Sequence, residues 1–173
     1  MHTSILVGMG DNGDPACGAP PDGGSGYACR HDPEEAPMAT GSGTKDDPWQ
    51  LNTPPGTSSY TMYRDDSSTP PTIVCQVGST RLLYNARAID DLRFWLLERA
   101  DWVPLGAADE GKEAAEGTVE WFGRWDSNPI GGWYGLRAGY RGRFGMYLPP
   151  LLEALGLAEL THDARNNSMR AVS

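Results

Sequence analysis

A chain of 173 residues with a formal net charge of −9, 22 glycines and 14 prolines has the size of one domain plus a tail. Its acidity opposes non-specific nucleic-acid binding through the field of the whole molecule, so any grip on phosphate must come from a concentrated basic patch. Three cysteines, Cys17, Cys29 and Cys75, make no disulfide framework, and no stretch approaches the roughly 18 apolar residues of a membrane span; together these predict a soluble, cytoplasmic protein with no membrane partner.

Residues 1–44 hold Arg30 against six acids, a local charge of −5. They are dense in Gly, Pro, Asp and Ser, and such a segment cannot bury enough surface to offset its ordering entropy, so residues 1–40 are expected to be a disordered tail. Met38 is the alternative natural start, which would make the preceding residues an over-called extension. Gly8-Met9-Gly10-Asp11-Asn12-Gly13 matches the GxGxxG dinucleotide fingerprint after a strand-like Ser4–Val7. The fingerprint requires a helix next, and Asp14-Pro15-Ala16-Cys17-Gly18-Ala19-Pro20-Pro21 cannot form one. Cys17, Cys29 and His31 lack the fourth ligand and the scaffold of a zinc site.

From residue 41 the chain becomes globular in character. The predicted strands are Tyr60–Arg64, Thr72–Val77 and Thr80–Tyr84, with Gly78-Ser79 as a tight hairpin between the last two and Cys75 as a small buried hydrophobe. Ala88–Ala100 reads as a helix with Ile89, Leu92, Trp95 and Leu96 on one face and Asp90-Asp91 as solvent-facing dipole partners in its first turn. Asp101–Gly106 breaks it, and 107–117 is a polar connection. Thr118 caps a short helix through Trp125, and Gly131–Gly139 is a second short helical segment. Leu148, Leu151, Leu152 and Leu155, extended backwards by Phe144, form the apolar stripe of a third helix, with Pro149 and Pro150 in its first turn and Gly156 at its end. Leu157–Leu160 and Ser168–Val172 then form a hairpin around a polar tip, His162–Asn167.

These elements predict one α+β domain over 41–173. A small N-terminal β-hairpin/helix unit (41–110) precedes a C-terminal winged helix-turn-helix-like module (117–172). GTKDDPWQL, the Tyr60–Asp65 run, ARAIDDL, DWVPLG, GGWYGL, RGRFGMY-PP-LLEALGLAE and RNN-MRA together resemble a family of small uncharacterised bacterial proteins, mainly actinobacterial, over residues 41–172. The resemblance implies a cytoplasmic bacterial protein of unknown function and brings no catalytic residue.

No cofactor fingerprint, metal-ligand spacing or catalytic relay stands out. Beyond the tail the one histidine is His162, in a predicted turn, and the paired acids at 46–47, 65–66 and 109–110 read as solvated loop charges. A small enzyme stays open behind two partner readings, a DNA-binding or regulatory winged-helix protein and a non-enzymatic protein-interaction module of the same fold. Arg137, Arg141, Arg143, Arg165 and Arg170 outnumber the three acids of 128–173. Arg141 and Arg143 at the entry to the third helix, and Arg165, Asn166 and Asn167 at the hairpin tip, are the candidate contacts to double-stranded DNA, with Arg137 beside them. The alternative is a protein partner docking on exposed aromatics at Trp133 and Tyr134, the arginines then serving as ordinary surface pairs.

Overall fold

The computed structural model describes residues 40–172. The expected tail, its GxGxxG lookalike, Cys17, Cys29 and His31 lie outside the described residues. Four antiparallel strands come first: β1 (Trp49–Asn52), β2 (Ser59–Asp65), β3 (Thr72–Val77) and β4 (Thr80–Asn85), neighbours in that order. Their period-2 alternation aligns Met62, Cys75 and Leu82 in one row across β2, β3 and β4, and all three are buried in the core. Gly78 has a φ of +55°, as the two-residue turn between β3 and β4 needs. β1 was not predicted: it is four residues long and buries Leu51 alone, too little alternation to register as a pattern.

The helix α1 (Ala88–Arg99) buries Ile89, Leu92, Trp95 and Leu96 as expected, and Asp91 with them. Asp91 is therefore no solvent-facing charge. It accepts a 2.8 Å hydrogen bond from the Tyr134 hydroxyl and a 3.2 Å one from Arg87, which satisfies a carboxylate that burial would otherwise penalise. Next come β5 (Val103–Pro104), α2 (Val119–Phe122), α3 (Phe144–Ala154), β6 (Ala158–Leu160) and β7 (Ser168–Ala171), with β5, β7 and β6 forming a second antiparallel sheet in that spatial order. β5 fell inside the presumed helix breaker. Pro104 is tolerable there because β5 lies at the edge of its sheet.

Three expectations about the last third need correction. The first concerns where α3 begins. It starts at Phe144, so Pro149 and Pro150 sit inside it and not in its first turn. They have no N–H to return to the carbonyls one turn back, and at the following carbonyl, that of Tyr147, the Tyr60 hydroxyl of β2 donates at 2.8 Å. Burial of Phe144, Tyr147 and Leu148 outweighs the proline penalty. The second concerns Leu155, which is 36% exposed, while Leu148, Leu151 and Leu152 are fully buried. Helical geometry stops there: Gly156, at φ +69°, and Leu157 return their N–H groups to the carbonyls of Glu153 and Leu152, closing the helix, and Leu157 packs against the core instead. The third concerns 131–139, which is not helical. Gly131, Gly132 and Gly139 all have positive φ, and the segment lies along β4, with Asn85 N–H to the Tyr134 carbonyl and Leu136 N–H to the Leu83 carbonyl, both 2.8 Å.

One core runs from Leu51 to Met169 and joins both sheets. At its centre Trp95 stacks on Phe122 at 4.8 Å, Phe122 on Tyr134 at 5.7 Å, and Tyr134 leans on Phe144 at 5.6 Å. α3 is packed by α1, α2, β1 and β6, and eight of its eleven residues are buried, so it has no polar outward face. Among the described residues no helix is long and apolar enough to cross a membrane.

Candidate interaction site

α2 is only one turn long, and Thr118 starts it: its hydroxyl accepts from Trp121 N–H at 3.2 Å and donates to the Ala115 carbonyl at 2.7 Å. This aims Val119, Glu120 and Phe122 inward and Trp121 outward. Glu120 is completely buried. One oxygen accepts the N–H of Gly145 in α3 at 2.8 Å, and the other takes Nε and a terminal nitrogen of Arg124, itself only 10% exposed. Burial pushes the Glu120 carboxyl above its usual range, against the pull of Arg124 and the Gly145 N–H. Arg124 also donates to the carbonyls of Lys112 at 2.6 Å and Ala108 at 3.0 Å. Arg124 thereby helps tie the stretch 107–117, read from sequence as a polar connection, to the core.

Outside this buried pair lies an open groove of about 770 Å³. Residues 110–116 form one wall; Trp121, Arg124, Trp125, Asp126 and Trp133 form the rest. Trp121 and Trp125, four residues apart, stack at 4.7 Å with an interplanar angle of 21°. Trp133 meets two guanidinium groups, Arg124 at 4.7 Å and Arg141 at 4.9 Å from its ring centre. Glu113, Glu116 and Asp126 are exposed, and among the described residues none of them is in an ion pair. The signal in the sequence was the i, i+4 tryptophan pair beside an acidic run.

The residues singled out from sequence divide into separate groups. Arg141 grips Glu110 with its side chain at 2.7 and 2.9 Å and its backbone N–H at 2.9 Å, and Arg143 holds Asp109 at 2.6 Å. These contacts keep both carboxyls below their usual range: the Arg141 backbone N–H acts first on Glu110, and the Arg143 hydrogen bond acts first on Asp109. Arg137 lies over Tyr140 at 4.0 Å and donates to the Arg81 carbonyl of β4 at 3.0 Å. Arg170 pairs with Glu159 at 2.7 Å and stacks on Trp102. At the hairpin tip Arg165 and Asn166 are exposed, but Asn167 is buried and brackets the turn, accepting from Asp163 N–H and donating to the Asp163 carbonyl. Of the five arginines, Arg165 alone makes no polar contact or ring stack among the described residues. The aromatic pair also separates. Trp133 is half-buried at the groove, whereas Tyr134 is 0% exposed and is a core residue, not a docking ring.

His162 is committed as well. Its Nδ1 meets the Pro54 carbonyl at 3.0 Å and its Nε2 both oxygens of Glu153 at 2.8 Å. With acceptors at both nitrogens the ring donates twice, as an imidazolium. Partial burial opposes that charge, but the Glu153 and Pro54 contacts outweigh it and raise the ring above its ordinary value. Cys75 is buried, and desolvation pushes its thiol far up, away from nucleophilic range. Among the described residues no three His, Cys, Asp or Glu side chains gather as a metal site.

Comparison with known proteins adds a family and no activity. A family model described as a family of unknown function (DUF6855) matches residues 41–172. No curated protein matches the chain. No solved structure matches it either.

Proposed function

We propose, for a chain that belongs to the DUF6855 family of unknown function, a non-enzymatic protein-interaction module whose docking surface is the groove around Trp121 and Trp125. The observation that carries this reading is a contrast. Three partly buried indole rings line an open groove, while the arginines that would serve a nucleic acid are mostly held by the protein's own carboxylates, carbonyls and rings. Aromatic residues are enriched at interface centres because they bring large contact area at small entropic cost.

The scaffold of the module is read as winged-helix-like. Support comes from the order α1-β5-α2-α3-β6-β7 and from the three-strand order β5-β7-β6, a helix, a strand, two helices and a hairpin. In a DNA-binding version the second helix of the pair enters the major groove. α3 has no polar face to offer there, which favours a protein partner over duplex DNA.

Two measurements test the reading. Random-peptide display on the full chain is expected to enrich clones that lose binding to Trp121→Ala/Trp125→Ala. Random duplex at low salt is expected to run unretarded with the protein. Retardation that collapses steeply as salt rises, together with no clone dependent on the two tryptophans, would transfer the function to DNA and to Arg165 and Asn166.

A further inference from the structure

The groove is specific about charge. Resting on the interaction reading above, we propose that its occupant is a basic, extended segment of a partner protein, one Lys or Arg side chain laid against the Trp121–Trp125 pair with its charge met by Glu113, Glu116 and Asp126.

The first argument is how this surface treats its own cations. At Trp133 two guanidinium groups already sit within 4.9 Å of one indole, so the local geometry accommodates cation on ring. The second is the balance of charge left over. Both cations lining the groove are engaged, Arg124 by Glu120 and Lys112 by Asp109 at 3.5 Å, and Arg141, which also meets Trp133, is held by Glu110. Glu113, Glu116 and Asp126 are unanswered among the described residues. An acidic or purely apolar ligand would leave those carboxylates repelled or dried without a partner; a basic one meets each of them. The third is size. A volume of about 770 Å³ is near the top of the range for pockets that hold a drug-sized molecule, and the consecutive residues 110–116 run the length of one wall, which suits several residues of extended chain better than a lone ammonium ion.

The test uses the full chain and a fluorescein-labelled Gly-Ser peptide bearing three lysines, followed by anisotropy at low salt, with the same peptide bearing three glutamates as control. Saturable binding of the lysine peptide alone is expected. An acidic protein attracts any polycation, so two double variants that change net charge equally separate site from bulk charge. Glu113→Gln/Glu116→Gln should weaken binding about fivefold to tenfold, the sum of two exposed charge pairs. Asp46→Asn/Asp47→Asn, remote in sequence and outside the groove lining, should leave it unchanged. Trp125→Ala should weaken it about twofold to fivefold and Trp125→Phe by less, provided that both variants keep the wild-type circular dichroism.

No binding of the lysine peptide, equal losses in the two double variants, or full affinity in a folded Trp125→Ala would each overturn the proposal. The interaction reading fails separately. If display selects neutral or apolar peptides that still need Trp121 and Trp125, the groove is a docking site and only its preference for cations is wrong.

Discussion

Removing the carboxylate of Glu120 is the most informative single perturbation of this fold. Glu120→Ala deletes two contacts to Arg124 and the 2.8 Å acceptor of Gly145 N–H, leaving a guanidinium that is 10% exposed without its counter-ion. Breaking one side of a buried ion pair costs about 3–5 kcal/mol, because the remaining charge is neither solvated nor paired. Arg124 keeps the carbonyls of Lys112 and Ala108, so the lower end, about 3 kcal/mol, is expected. Against the roughly 5–15 kcal/mol that holds a domain folded, that is a large share. With a urea slope of about 2 kcal/mol per molar, the unfolding midpoint should fall by roughly 1.5 M. Glu120→Gln keeps an acceptor for Gly145 and should cost less. The same change should loosen 107–117, and limited trypsin digestion should then cut faster after Lys112. A midpoint shift corresponding to less than about 1 kcal/mol in Glu120→Ala, with unchanged cleavage, would show that the pair does not anchor the connection.

Three further outcomes can be measured. Leu151→Ala should cost about 2–5 kcal/mol in urea unfolding, whereas Leu155→Ala, at a site 36% exposed, should cost well under half as much; equal costs would mean that α3 does not end where described. Tyr60→Phe removes the donor to the Tyr147 carbonyl and should cost about 1–3 kcal/mol by the same assay, an unchanged midpoint refuting the role given to that bond. His162 has a folded value raised above its ordinary 6.5, so the folded state binds the proton more tightly and the stabilisation is fully present below about pH 6.5. It is lost as pH rises through the folded value; the stability difference between wild type and His162→Gln should therefore shrink from pH 6 towards pH 8.5, and a pH-independent difference would contradict the double-donor geometry.

What could be read from sequence followed pattern length. β2, β3, β4 and α1 carry enough alternation or helical periodicity for their own pattern to be visible, and all four lie where expected within a residue or two. β1, β5 and the α3 start are tertiary outcomes. Four residues of β1 and two of β5 take their conformation from the strands they pair with, and α3 runs through two prolines because burial of Phe144, Tyr147 and Leu148 in the shared core outweighs their penalty. Gly131–Gly139 misled for a related reason: Trp133, Tyr134 and Leu136 have helix-like spacing, but backbone bonds to Leu83 and Asn85 hold the segment along β4. The candidate groove was half legible. The tryptophan pair could be seen at its i, i+4 spacing, but nothing local told that Arg124 would turn inward to Glu120 and leave the neighbouring acids without a cation.

The strip that lies along β4 has a further consequence, for behaviour in concentrated solution. A sheet that ends in a bare strand offers its unpaired N–H and C=O groups to any other extended chain, which is how folded domains begin to aggregate. Here Asn85 N–H and the Leu83 carbonyl are taken by Tyr134 and Leu136, and the Arg81 carbonyl by the Arg137 guanidinium. On the opposite edge Gln50 N–H of β1 is taken by the Thr40 carbonyl. Arg137 thus works as a gatekeeper: a substitution there that spares every ion pair of the fold would still unmask a carbonyl at the sheet margin, and its cost would be paid in self-association on long storage and not in melting temperature.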